Sequence, residues 1–105
     1  MSKIYKIVFA ASARKDLKEI VRFFKNAEQE INIAKRQIAK IKEAVFALAQ
    51  MPYRHEAVKD EYLKSKGMYK LPIDNYMVIY IVSEEKNTVE IVRVINQRRD
   101  WINLI

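Results

Sequence analysis

Two arginines and a tryptophan crowd the end of this chain: Arg98 and Arg99 follow a β-forming run, and Trp101 stands two places beyond them. Guanidinium groups grip phosphate or carboxylate through paired N–H donors, and an aromatic face offers a stacking surface. Lys70 and Tyr69, on an earlier run of the same character, supply a further charge and a further ring. Lys70, Arg98, Arg99 and Tyr69 therefore make up the candidate site for engaging a target. Arg54, His55 and Arg93 are candidate contacts to nucleic acid or to a partner. His55 is the only histidine, the side chain that exchanges protons near neutral pH, although an isolated loop histidine is more often simply solvated. A bland account of the arginines also exists, in which Asp100 and Glu90 neutralise them. Trp101, Leu104 and Ile105 have the spacing to close the C-terminus onto a core.

Other chemistries are missing. The sequence has no Gly-rich phosphate loop, no histidine pair at metal spacing and no nucleophile with an evident base. The lack of cysteine excludes disulfides, thiol catalysis and thiolate zinc sites, and fits a reducing compartment. No metal and no cofactor is expected. The opening Met-Ser-Lys-Ile-Tyr-Lys has no apolar signal-like core, and the longest apolar run, Tyr76 to Val82, has seven residues, too few for a bilayer. The expectation is a soluble, unexported protein with no membrane partner.

The elements that must hold these residues lie between Gly67 and Trp101. Three runs rich in β-branched and aromatic residues, Met68 to Ile73, Tyr76 to Val82 and Thr88 to Ile95, are separated by Asp74-Asn75 and by the polar stretch Ser83 to Asn87, which predicts an antiparallel meander. The middle run is apolar at every position and needs cover on both faces. Simple alternation along the last run puts Arg93 on one face with Ile91 and Ile95.

Cover comes from earlier in the chain. Ile4 to Phe9 reads as a first strand. Ser12 is a candidate N-cap, with Asp16 in the first turn, for a helix whose apolar face is Ala13, Leu17, Ile20, Val21 and Phe24. Asn26 with Gln29 resembles a capping box for a second helix with Ile31, Ala34, Ile38, Ile41, Val45 and Leu48 inward, ended by Met51-Pro52. The two form a helical hairpin. Pro52 to Lys66 reads as an ordered surface connection with one helical turn near Asp60 to Lys64, anchored by Tyr53, Val58, Tyr62 and Leu63, and Gly67 takes the turn into the meander. The fold class is α+β, ordered β-α-α-β-β-β, with a two-helix hairpin packed on a small, mainly antiparallel sheet, as one domain over residues 1–105.

Charge is placed unevenly. The net charge is +7, and residues 1–42 hold eleven Lys or Arg against four Asp or Glu, while residues 43–105 hold nine of each. A basic helical surface favours an acidic protein or a phosphate backbone, unless it only keeps the chain soluble.

The element order, together with MPYRH (Met51 to His55), GMYKLPIDNYMVIY (Gly67 to Tyr80) and VRVINQRRDW (Val92 to Trp101), resembles the RelE/ParE superfamily of bacterial toxins over essentially the whole chain. The resemblance implies a cytoplasmic toxin of a type II toxin–antitoxin module, often labelled a plasmid stabilisation protein, silenced by a cognate antitoxin in a hetero-oligomer. Lys18, Arg22 and Lys25 are then the candidate antitoxin-binding residues. Two targets stay open: ParE-like members poison DNA gyrase, while RelE-like members are ribosome-dependent mRNA endonucleases. A third outcome is an inactive homologue kept as a binding module. Lys70 falls where the endoribonucleases keep a basic residue on the second strand. Met77 stands where they place an arginine, and their last basic position meets Asn96, Gln97 or Arg98. Tyr69, Tyr76 and His55 are the candidate bases. This incomplete match favours the gyrase reading.

Overall fold

The computed structural model describes residues 4–23, 28–53, 55 and 57–97. The element order is β1 (Lys6–Phe9), α1 (Ala11–Phe23), α2 (Glu28–Ala47), α3 (Glu61–Ser65), β2 (Met68–Ile73), β3 (Tyr76–Ser83) and β4 (Thr88–Asn96). The sheet runs β1-β4-β3-β2, with β1 parallel to β4 and the meander antiparallel. The expected α+β architecture is present, with α3 as the helical turn of the connection. Asp74 and Asn87 take positive φ angles of 53° and 56°, which their short polar side chains tolerate, and Gly67 turns into β2 at φ 73°.

The apolar stripes of the helices find the sheet. Ala13 and Ile20 of α1, with Ile41, Val45 and Leu48 from α2 and the turn after it, bury against Leu71, Ile73, Val78, Tyr80, Val89, Ile91 and Val94. Val21, expected inward, is instead 44% exposed. Phe24, the Asn26 capping box and the side chain of Ile31 lie outside what is described. The reverse face of the sheet is closed by the connection: Val58 and Leu63 pack on Met68, Met77, Ile79 and Ile95. Asp60 accepts from the Leu63 N–H at 3.1 Å and caps α3, so Leu63 is turned inward. Each of these two anchors contributes roughly 1.5–3 kcal/mol of burial. The other two expected anchors, Tyr53 and Tyr62, are exposed.

Two features depart from simple alternation. Tyr80 pairs with Ile91 and Ile79 with Arg93, so Val92 is an extra residue in β4. This bulge separates Ile91, which packs on the helix side, from Ile95, which packs on the reverse side. The second feature is the edge of β4. β1 pairs with β4 only as far as Ile91, and α1 then takes over. The Ala10 N–H donates to Ile91 O, the Ser12 hydroxyl donates to Val92 O at 2.7 Å, and the Val94 N–H donates to Asp16 at 2.9 Å. Ser12 is thus the second residue of α1 and bonds to a strand carbonyl, and Asp16 serves the sheet edge instead of the helix dipole.

Buried Tyr80 donates its hydroxyl to Pro52 O at 2.7 Å and so ties the connection to the sheet. Tyr80→Phe leaves that carbonyl unpaired, and the expected loss is about 1–2 kcal/mol, read as a lowered midpoint in urea with an unchanged slope.

Candidate functional site

The meander brings two of the expected cations to one level of the sheet. Lys70 on β2 and Arg93 on β4 both pair across from Ile79, which lies between them on β3. Arg93 is not a loose cation, because its Nε and a terminal nitrogen donate to the two oxygens of Asp16 at 2.7 and 2.9 Å. Both side chains are largely buried, at 20% and 10% exposure, and the bond to Asp16 raises the guanidinium pKa further above its ordinary value. Arg93 therefore holds α1 to β4.

Tyr69 does not share a face with Lys70. It is one residue away on β2, so it points to the helix side, where its ring stacks on Tyr80 at 5.6 Å and 20°. It belongs to a group of tyrosines scattered in sequence: Tyr53 meets Tyr69 edge-on at 5.6 Å and Tyr5 at 6.5 Å. Tyr5 and Tyr53 both donate to Glu84. That hydrogen bond is the main reason the Tyr53 phenol is pushed well above its ordinary pKa, which makes it a poor base. Nothing local in the sequence marks this cluster, because strand register unites only Tyr69 with Tyr80, while Tyr5, Tyr53 and Glu84 join from outside the strands. Burial likewise raises Tyr76, one of the candidate bases. His55 is half-buried in a bend.

The end of β4 is fixed at its last described residue. Gln97 donates from its backbone to Asn75 O at 2.8 Å and from its side-chain amide to Asp74 O and Tyr76 O at 2.9 and 3.1 Å. Gln97 is thereby anchored beside the β2–β3 turn. Arg98, Arg99, Trp101, Leu104, Ile105, Arg54 and Lys25 lie outside the described residues. Beside this end of the sheet is a cleft of about 220 Å³ lined by Asp16, Glu19, Ile20, Tyr76, Val94, Ile95 and Asn96.

The helical hairpin presents a second surface. Lys18 and Arg22 are exposed on α1. Val21, Lys35, Ile38, Ala39 and Lys42 line a groove of about 300 Å³ between the helices, an apolar floor with lysines along α2. Among the described residues, no group of His, Asp and Glu is placed to hold a metal ion, and no helix is long and apolar enough to cross a membrane.

A family profile described as ParE toxin of type II toxin–antitoxin system, parDE, matches residues 7–101. The chain belongs to this family of toxins. No curated protein matches. Among solved structures, this ParE-family toxin is similar to a chain of the toxin–antitoxin complex RelBE2 from Mycobacterium tuberculosis, with 26% identity and a TM-score of 0.65 over 90% of this chain and 99% of that one. It shares its fold with a chain of the chromosomal ParDE system of P. aeruginosa (18% identity, TM-score 0.72, 90% and 98% covered). The same holds for a chain of the intact E. coli RelBE toxin–antitoxin complex (17%, 0.60, 90% and 99%). The RelE/ParE toxin is thus established as a class, and its target is a separate question.

Proposed function

We propose that this toxin acts in the bacterial cytoplasm as a ParE-like, non-catalytic inhibitor of DNA gyrase, held silent by a cognate antitoxin seated on the helical hairpin. One observation carries the choice of target. Met77, at the position where the endoribonucleases place an arginine, is 8% exposed and packs with Val58, Leu63, Met68, Ile79 and Ile95. An apolar cluster there cannot stabilise the pentavalent phosphate of RNA cleavage, which needs charge aimed at it. Activating a 2′-hydroxyl needs a base titrating near neutrality, and Tyr76, one of the three candidate bases, is shifted the wrong way by burial. Lys70 favours the second reading, an mRNA endonuclease, since its charge stands on the strand where those enzymes keep one.

Arg98 and Arg99, with Lys70, are the residues this reading assigns to the target. Arg98→Ala with Arg99→Ala is expected to leave melting temperature and antitoxin binding nearly unchanged while toxicity on induction is lost. A double variant that unfolds, or that kills as well as the parent, removes the assignment. Inducing the parent chain while following transcript ends and DNA breaks separates the targets: breaks with intact transcripts support the gyrase reading, and early cleavage of translated transcripts overturns it.

A further inference from the structure

Tyr62, which does not reach the core, offers a surface that the hairpin groove does not use. It stands 67% exposed on α3, while its neighbour Leu63, 4% exposed, fastens the helix to the reverse face of the sheet. Lys66, one helical turn on, holds its ammonium 5.1 Å from the centroid of the Tyr62 ring. Lys59 and Lys64, three residues before and two residues after Tyr62 in the chain, are exposed. Of the two acids in the segment, Asp60 is engaged in capping α3, which leaves Glu61 in the first turn. The outer surface of α3 is therefore an exposed aromatic ring with one ammonium over it, in a segment of three lysines and two carboxylates, one of them held in the cap.

That combination suits a strand of alternating bases and phosphates. A base stacks on the exposed ring, and the ammonium groups neutralise the phosphates on either side of it. An apolar protein anchor fits less well, because the hydrophobic neighbours that could extend the patch, Val58, Leu63 and Met68, are buried under the helix. Paired DNA hides its base faces, so the ring selects an unpaired stretch.

We propose that α3 is a contact site for unpaired DNA, with Tyr62 as the stacking residue and Lys59, Lys64 and Lys66 as phosphate partners. The choice of DNA over RNA rests on the gyrase reading, because gyrase works on DNA. The site lies on the sheet face opposite the helical hairpin, so the two surfaces can be tested separately.

The test is fluorescence anisotropy of an end-labelled single-stranded DNA twelve-mer titrated with the full chain at several salt concentrations, with melting curves confirming that each variant is folded. Tyr62→Ala is expected to weaken binding about fivefold or more, the low end of the range for one base stacked on an aromatic ring, and Tyr62→Phe to retain it. Lys64→Ala with Lys66→Ala should flatten the log–log salt slope by about 1.4, at roughly 0.7 per phosphate on a single strand. Lys35→Ala with Lys42→Ala, on the hairpin, should stay within about twofold of the parent. The proposal is overturned if Tyr62→Ala binds like the parent or if the hairpin pair weakens binding equally. An RNA twelve-mer of the same sequence that binds about tenfold more tightly also overturns the assignment to DNA. The assay contains no gyrase, so loss of binding here and lack of gyrase inhibition elsewhere are separate failures.

Discussion

Asp16→Ala is expected to destabilise the toxin by about 3–5 kcal/mol, the range for removing one partner of a buried ion pair. The carboxylate receives two bonds from Arg93 and one from the Val94 N–H, in a place where β1 no longer covers β4. Alanine removes both of these bonds from a guanidinium at 20% exposure and leaves a strand N–H without its acceptor. For a domain of this size the midpoint should fall by on the order of 15 °C. Asp16→Leu with Arg93→Met should recover part of that loss, since apolar side chains of similar volume often replace a buried pair without penalty. Thermal unfolding of the single and double variants checks both points. A single variant melting within a few degrees of the parent would mean that α1 is held to the sheet edge by its apolar contacts alone.

Charge reversal on the hairpin should have the largest effect on association. With Lys18→Glu and Arg22→Glu, the antitoxin association rate is expected to drop about tenfold or more at low salt, and most of its salt dependence should go with it. Dissociation should change far less, because on the proposed seat residence would rest on apolar antitoxin side chains against Val21, Ile38 and Ala39 in the groove. Val21 is 44% exposed there, so Val21→Ser should do the reverse, speeding dissociation while association holds. Surface plasmon resonance with immobilised antitoxin resolves the two rates. An unchanged association rate in the double reversal places the antitoxin on another face.

The sequence carried the elements that have local signatures. Spacings of three and four marked both helices, and β-branched runs bounded by Asp74-Asn75 and Ser83 to Asn87 marked the meander within a residue at each end. What local pattern could not carry was pairing at a distance. Nothing in Lys6–Phe9 announces a parallel partner in β4, and nothing in VEIVRVI announces that Val92 is the odd residue out. Asp16 did leave a signal, because it lies on the apolar stripe, three residues after Ala13 and four before Ile20, where an acid requires a partner. At Tyr62-Leu63 composition favours either residue as the anchor, and the cap supplied by Asp60 turns Leu63 inward. The tyrosine group around Glu84 joins a register pair, Tyr69 and Tyr80, to residues from outside the strands, and alternation along β2 separates Lys70 from Tyr69. Arginine-rich ends such as Arg98-Arg99 are conspicuous in a sequence; partners that meet only across a sheet are not.

One measurement addresses the toxin's target directly. Purified toxin is added to purified gyrase and relaxed plasmid, with and without a molar excess of antitoxin, alongside a translating ribosome reaction whose mRNA ends are mapped. The expected result is loss of supercoiling with accumulation of gyrase-linked cleaved DNA, reversal of both by antitoxin, and intact mRNA. Undisturbed supercoiling together with new mRNA ends at translating ribosomes would contradict the account and give the reaction to the nuclease reading.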